Sequence, residues 1–157
     1  MSVQKLKSML PKNATFWFYD KLPKTLNALF RGKESAVVFY QIHDNRGKAL
    51  EGTGHFSLVI RGTKPHFFSS YGFSPEQEIH KTHSSGKLLK LLGKGFTRNR
   101  RAYQTGRDTQ TCGYHCIVRA HFPRLNATQY SKIISKFSAP RADDLVAALC
   151  LLKLQEN

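Results

Sequence analysis

A cysteine at the start of a predicted buried helix is the residue of this sequence best placed to do chemistry. Cys112-Gly113 opens an apolar run that ends before Pro123, and a polar loop, 104–111, precedes it. The first turn of a helix carries unpaired N–H groups and the positive end of the helix dipole. A thiolate can persist there near neutral pH. We therefore interpret Cys112 as a candidate nucleophile; a small buried cysteine beside a packing glycine is the ordinary alternative.

A histidine upstream supplies the second group that such a nucleophile requires. His55 lies in the segment Gly54-His55-Phe56, at the start of an apolar run that reads as a strand up to Ile60. A thiol nucleophile is activated by an adjacent base, and the two residues need only meet in space. The sequence therefore predicts that a strand carrying His55 and a helix beginning at Cys112 pack together.

The elements that must position these residues follow from hydrophobic periodicity and turn residues. The predicted loop 43–54 is polar, and 75–83 is ambiguous. The pattern predicts an α+β fold, a small mixed or antiparallel sheet packed with helices, in one domain spanning 1–157. Strands are expected at 36–42, 56–60, 65–70 and, at an edge, 96–103, and helices at 22–30, 88–92, 112–122, 127–137 and 142–154.

The charge of the chain is strongly positive, with a net +15 over 157 residues. Solubility is one explanation, but several basic residues cluster just before the cysteine helix. Such a cluster favours a polyanion, usually nucleic acid, over an anionic membrane surface. The residues expected to bind double-stranded DNA, called the basic cluster below, are Lys87, Lys90, Lys94, Arg98, Arg100, Arg101 and Arg107.

The three cysteines, Cys112, Cys116 and Cys150, indicate neither a disulfide framework nor a zinc site. Structural zinc sites normally show two paired sets of ligands, and only one pair is present here. We expect no metal and no required cofactor. The absence of an apolar leader or a membrane-length run predicts a soluble, intracellular protein.

Five short motifs follow one another along the chain. They are Tyr19-Asp20-Lys21-Leu22-Pro23, Gly54-His55-Phe56, the segment 67–75 ending in Ser69-Ser70-Tyr71-Gly72, and Gln104 followed by Cys112-Gly113-Tyr114-His115-Cys116, with Ala142-Asp143-Asp144-Leu145-Val146 near the end. Together they resemble the adenain-like cysteine proteases of adenoviruses and of related Polinton-type and small fish DNA viruses, and more distantly the Ulp-type SUMO proteases. The resemblance implies their protease fold over about 16–148.

The first departure from the family concerns the third member of the catalytic triad. Ser69 occupies the place where the family has Asp or Glu, the carboxylate that orients the histidine. Ser69 offers a hydrogen bond to the ring but no charge, so we expect Ser69→Ala to change turnover little and Ser69→Asp to raise it. The alternatives are a Cys-His dyad or a substitute acid from elsewhere: Asp44, Glu51, Glu76 or Glu78, which the sequence does not rank.

The second departure concerns the glutamine of the oxyanion hole. The family places it six or seven residues before the cysteine, whereas Gln104 is eight before and Gln110 two before. Gln104 with a slightly longer loop is the better choice. Its side-chain amide would then bind the developing oxyanion together with the backbone N–H of Cys112.

The function that the resemblance implies is a viral cysteine endopeptidase that cleaves structural precursor proteins during virion maturation, often at Gly. It implies a monomer in the host nucleus and the virion, with DNA as an activator. A disulfide-linked activating peptide does not transfer, because no cysteine precedes Cys112; a non-covalent peptide stays open. The alternatives are a non-enzymatic DNA-binding or capsid-associated protein on a decayed protease fold, and a deubiquitinase or deSUMOylase.

Overall fold

A five-stranded mixed sheet forms the centre of the computed structural model, with the strands in the order β1-β2-β3-β4-β5. The structure describes residues 2–104, 111–134, 144 and 146–150, with side chains at 49–53 excepted. Strands β2, β3 and β4 are antiparallel neighbours, while β1 joins β2 and β5 joins β4 in parallel. The expected α+β class with a mixed sheet is confirmed. The strands are β1 (Ala14–Phe18), β2 (Ser35–His43), β3 (Ala49–Ile60), β4 (His66–Phe68) and β5 (Thr97–Arg98).

Six α-helices with described bounds accompany the sheet, and 144 and 146–150 are helical as well. Among the described residues, no helix is long and apolar enough to cross a bilayer. The expected helix at 22–30 begins only at Leu26, because the Thr25 side chain accepts a hydrogen bond from the Ala28 N–H and caps it there. The helix expected at 142–154 is described at 144 and 146–150. The helices are α1 (Val3–Met9), α2 (Leu26–Phe30), α3 (Pro75–Thr82), α4 (Lys87–Leu92), α5 (Cys112–His121) and α6 (Ala127–Ile134).

The ambiguous segment 75–83 is the helix α3. Ser74 and Gln77 form a reciprocal capping box, in which each side chain accepts a hydrogen bond from the other residue's backbone N–H, at 3.2 and 2.8 Å. Pro75 occupies the first turn, where its missing N–H costs nothing. This capping fixes the start of the helix that carries Glu78.

Two predicted boundaries in the sheet are wrong. The segment 43–54 is largely strand, because β3 begins at Ala49 and pairs back onto β2 around a turn stabilised by Asp44 Oδ1. Backbone pairing of this kind needs no apolar side chains, so the polar sequence conceals it. The strand expected at 96–103 covers only Thr97–Arg98. Beyond it, the Asn99 side chain, and not a strand backbone, forms the hydrogen bonds to the N–H and C=O of Ser69.

The sheet separates two apolar layers, since successive residues of a strand point to opposite faces. Phe56, Leu58 and Ile60 of β3 face the layer that contains α1, α5 and α6. Val59, with apolar residues of β1 and β2, faces the layer that contains α2 and α4. Helix α5 packs directly against β3. The nucleophile helix is therefore anchored to the strand that carries His55.

Candidate active site

Strand β3 holds His55 opposite Tyr40 of β2 in the antiparallel ladder. The imidazole is 7% exposed and lies against the Tyr40 ring, with the ring centroids 5.7 Å apart. The preceding residue, Gly54, leaves room for the Phe39 ring, since a Cβ there would lie 2.2 Å from Cε2 of Phe39 and would force that ring to move. The strand thus fixes the backbone of the base while an aromatic ring covers the residue before it.

Cys112 is the first residue of helix α5 and is 6% exposed. Its sulfur makes a hydrogen bond with the imidazole of His55 and accepts one from the backbone N–H of Phe56. The two segments that the sequence singled out therefore meet. The position at the helix start adds the favourable end of the helix dipole to these two donors.

Glu78 supplies a carboxylate on the other side of the imidazole. Its Oε2 lies 2.7 Å from Nε2 of His55, and the residue is 1% exposed. Nε2 of the imidazole therefore faces the carboxylate, while the same ring also interacts with the Cys112 thiol. Cys112, His55 and Glu78 therefore form a continuous thiol–imidazole–carboxylate chain.

The charges in this chain support one another. Burial alone would lower the pKa of His55, but the charge of Glu78 and the hydrogen bond to Cys112 outweigh it and raise the pKa to about 10. Burial alone would raise the pKa of the Cys112 thiol, but the hydrogen bond and charge of His55 and the Phe56 N–H outweigh it and lower that pKa. Both directions favour a thiolate beside an imidazolium, the reactive form of a cysteine nucleophile.

Ser69 contacts Glu78 and is connected to His55 through that carboxylate. Its hydroxyl donates a hydrogen bond of 2.6 Å to Oε1 of Glu78, and the residue is fully buried. This hydrogen bond to the carboxylate was not indicated by the sequence, and the expected effect of Ser69 on turnover stays a prediction. Of the other acids considered, Asp44 accepts hydrogen bonds in the β2–β3 turn, Glu76 is exposed on α3, and the Glu51 side chain lies outside the described residues.

Gln104 lies buried next to this chain, with 2% of its surface exposed. Its Oε1 accepts a hydrogen bond of 2.6 Å from the Ser70 hydroxyl, and its Nε2 donates one of 3.0 Å to the Tyr71 hydroxyl. The Tyr71 ring in turn packs on His55, with the centroids 5.3 Å apart. Gln104 is thus connected to the base through Tyr71, and the alternative Gln110 lies outside the described residues.

A tight turn after β4 carries the residues that support the acid and the glutamine. The Gly72 N–H donates to the Ser69 carbonyl at 3.0 Å and closes the turn. Gly72 has a φ of +72°, and a Cβ there would lie 2.6 Å from the Arg100 carbonyl oxygen, so only glycine fits. The buried Asn99 side chain binds both backbone groups of Ser69, at 3.0 and 2.6 Å.

Most of the basic cluster is exposed in the structure. Lys87 donates to the Asp20 carbonyl at 2.8 Å, and the half-buried Arg98 donates to the Gly72 carbonyl at 3.2 Å. Lys90, Lys94, Arg100 and Arg101 are exposed, and Arg107 lies outside the described residues. Because Asn99 sits between Arg98 and Arg100, part of the basic cluster is attached directly to the turn that supports the site.

The other two cysteines differ from Cys112 in their surroundings. Burial raises the pKa of the Cys116 thiol well above its usual value, and burial also raises that of Cys150 to about 12. Within the described ranges, no cluster of three or more His, Cys, Asp or Glu side chains could hold a metal ion. The expectation of a reaction without a metal stays a prediction.

Sequence reasoning left Glu78 unranked among four acids and did not identify Ser70, Tyr71 or Asn99 as supports. One signal for Glu78 was available: the capping pattern Ser74-Pro75-Glu76-Gln77 starts a helix just after the β4 turn, which places Glu78 in its first turn. The roles of Ser70 and Asn99 depend on contacts across 30 or more positions of the chain. No local pattern announces such contacts.

The arrangement can activate a thiol, hold an imidazolium and present a side-chain amide beside them, which are the elements of nucleophilic acyl transfer. No known family model matches this chain, and no curated protein sequence matches it significantly. The interpretation of the site therefore depends on its own geometry.

Proposed function

We propose that the protein is a cysteine endopeptidase. The observation that carries the proposal is the buried chain from the Cys112 thiol through His55 to Glu78, with its hydrogen bonds and the 2.7 Å ion pair. A cysteine that served only to fill the core would need no buried carboxylate behind a neighbouring imidazole. Burying such a pair away from water is costly, which favours a functional role.

In the proposed reaction the Cys112 sulfur attacks the carbonyl carbon of the scissile peptide bond. The oxyanion that forms is bound by the Cys112 backbone N–H and the Gln104 amide. His55 then gives its proton to the leaving amine, the C–N bond breaks, and a thioester remains. A water molecule attacks the thioester while His55 accepts its proton, and the C–S bond then breaks. The carboxylic acid leaves, and the Cys112 thiolate and the His55 imidazolium are restored.

Glu78 lets His55 act in both directions. Its negative charge stabilises the imidazolium that is present before attack and after deacylation. Ser69 keeps the carboxylate oriented through its 2.6 Å hydrogen bond. The alternative of a non-enzymatic protein on a decayed protease fold was supported by the absence of an acid at position 69. The contact of Glu78 with His55 weakens that support.

The finer proposal follows the resemblance: an adenain-like maturation protease of a DNA virus that acts on structural precursor proteins in the host nucleus and the virion. The net charge of +15 and the exposed members of the basic cluster support retention on double-stranded DNA close to those substrates. A deubiquitinase or deSUMOylase would use the same chemistry, and its substrates would distinguish it.

The experiment is digestion of a peptide library prepared from a proteome, with cleavage sites identified by mass spectrometry. We expect new termini at a restricted set of sequences with the parent protein and none with Cys112→Ala or His55→Ala. Cys116→Ala and Cys150→Ala are the matched controls and should keep the same cleavage pattern. Cleavage that survives in Cys112→Ala, or none in the parent with or without DNA, contradicts the proposal.

A further inference from the structure

Three consecutive residues after β4 each reach a different part of the site. Ser69 donates to Glu78, Ser70 donates to Gln104, and the Tyr71 ring packs on His55 while its hydroxyl accepts from Gln104. The chemistry described above assigns no role to Tyr71. It is the residue of the three that contacts two members of the machinery at once.

The Gln104 amide is held at both of its ends. Its Oε1 accepts a hydrogen bond of 2.6 Å from Ser70 Oγ, and its Nε2 donates one of 3.0 Å to the Tyr71 hydroxyl. The Gln104 backbone N–H also donates to the Ser70 carbonyl at 3.1 Å. Because these contacts hold both ends of the amide, the Tyr71 hydroxyl helps to set its rotation.

The Tyr71 ring is itself fixed between two others. It stacks on Phe73 with the centroids 5.3 Å apart and the planes 18° apart, and it lies against His55 at the same centroid distance with a tilt of 34°. Phe73 lies under the ammonium of Lys81, 4.8 Å from the ring centroid. Such a stack restricts the ring, so that its two ends, the face on His55 and the hydroxyl on Gln104, keep a constant separation.

We infer that Tyr71 is a positioning residue that couples the base to the oxyanion hole: its hydroxyl orients the Gln104 amide, and its ring sets the plane of the His55 imidazole. The inference rests on the proposed peptidase function and adds a residue to it. Catalysis by a preorganised donor depends on the donor already pointing at the place where the oxyanion will form. Loss of the hydroxyl should therefore slow the chemical step without weakening the binding of substrate.

The test separates the hydroxyl from the ring. On a peptide taken from the library digestion, Tyr71→Phe should lower kcat about tenfold and leave KM unchanged, because removing an oxyanion donor outright costs a hundredfold to a thousandfold. The pH dependence of Cys112 alkylation by iodoacetamide should stay that of the parent, since the ring on His55 remains. Tyr71→Leu, which removes the ring as well, should shift that pH dependence. The matched control is Tyr103→Phe, whose hydroxyl contacts Ser131.

A double-mutant cycle decides whether the hydroxyl acts through Gln104. Tyr71→Phe should have no further effect on kcat when added to Gln104→Ala. Additive losses, an unchanged kcat in Tyr71→Phe, or an increase in kcat overturn the coupling while the peptidase function stands. A parent protein that cleaves nothing overturns the proposed function and this inference with it.

Discussion

Glu78 Oε2 lies 2.7 Å from His55 Nε2, so the acid of this site comes from the first turn of α3. Ser69, directly after β4, donates its hydroxyl to the other oxygen of the same carboxylate. The residue that the resemblance placed at the position of the acid therefore contacts an acid nine residues later in the chain.

Replacing Glu78 should reduce catalysis without removing the thiol. We expect Glu78→Gln to lower kcat by a hundredfold to about ten-thousandfold, because the amide neither carries the charge that stabilises the imidazolium nor fixes the ring tautomer in the same way. The measurement is steady-state cleavage of a library-derived peptide. Glu76→Gln on the same helix is the matched control, since Glu76 is exposed. Equal losses in the two variants would rule out a specific role for Glu78.

Position 69 now gives a prediction opposite to that from the sequence. Ser69→Ala should lower kcat by about tenfold to a hundredfold, because a hydrogen bond to a charged group contributes about 1.5 to 3 kcal/mol. Ser69→Asp should lower it further, since a second buried carboxylate would lie against Glu78 and one of the two would have to be protonated. Higher turnover in Ser69→Asp would instead show that an acid at this position can orient His55 directly.

The ion pair also predicts a dependence of stability on pH. The folded-state pKa of His55, about 10, lies above its unfolded value of 6.5. The contribution of the charged His55 to the free energy of unfolding is therefore complete below pH 6.5 and is lost as the pH rises towards 10. Glu78→Gln should cost about 1 to 3 kcal/mol of unfolding free energy near pH 6.5, with a smaller difference near pH 10. Urea unfolding at both pH values measures this; a difference that grows with pH would reverse the assigned sign.

The basic cluster predicts salt-sensitive binding of double-stranded DNA without sequence preference. Log affinity should fall against log salt with a slope of about −0.9 for each phosphate contacted. Reversing the charges of Lys90, Lys94 and Arg101 should flatten that slope and weaken all sequences alike, while cleavage of a short peptide without DNA survives. Reversing three other exposed lysines, Lys12, Lys24 and Lys33, changes the net charge equally and should affect the slope less. Equal effects of the two triple variants would show that DNA binding depends on the net charge of the protein and not on the basic cluster.

The sequence was sufficient to predict the α+β class, the α5 start at Cys112 and the pairing of that residue with His55. These features follow from hydrophobic periodicity and from the chemical needs of a thiol nucleophile. The hairpin extension at Ala49 and the short β5 escaped prediction, because backbone pairing and the Asn99 side chain determine them. Propensity does not report such contacts.

Within the site, the choice of Glu78 as the carboxylate that contacts His55 likewise could not be predicted from local sequence patterns. Four carboxylates were available to the sequence argument, and only packing of α3 against the β2 side of the sheet brings Glu78 to His55. The local capping pattern fixes where that helix starts, but not which of its faces is buried. Tertiary packing therefore made the choice that residue types and spacing left open.

The rate of iodoacetamide alkylation of each cysteine against pH, followed by mass spectrometry, shows directly whether Cys112 is activated. We expect Cys112 to react first, with a midpoint below the ordinary thiol pKa of 9.0, and Glu78→Gln to change this pH profile. Cys150 and Cys116 should react slowly throughout, since burial raises both of their pKa values. A Cys112 midpoint at or above 9.0, or faster modification of Cys150 in the folded protein, would contradict an activated Cys112–His55–Glu78 site.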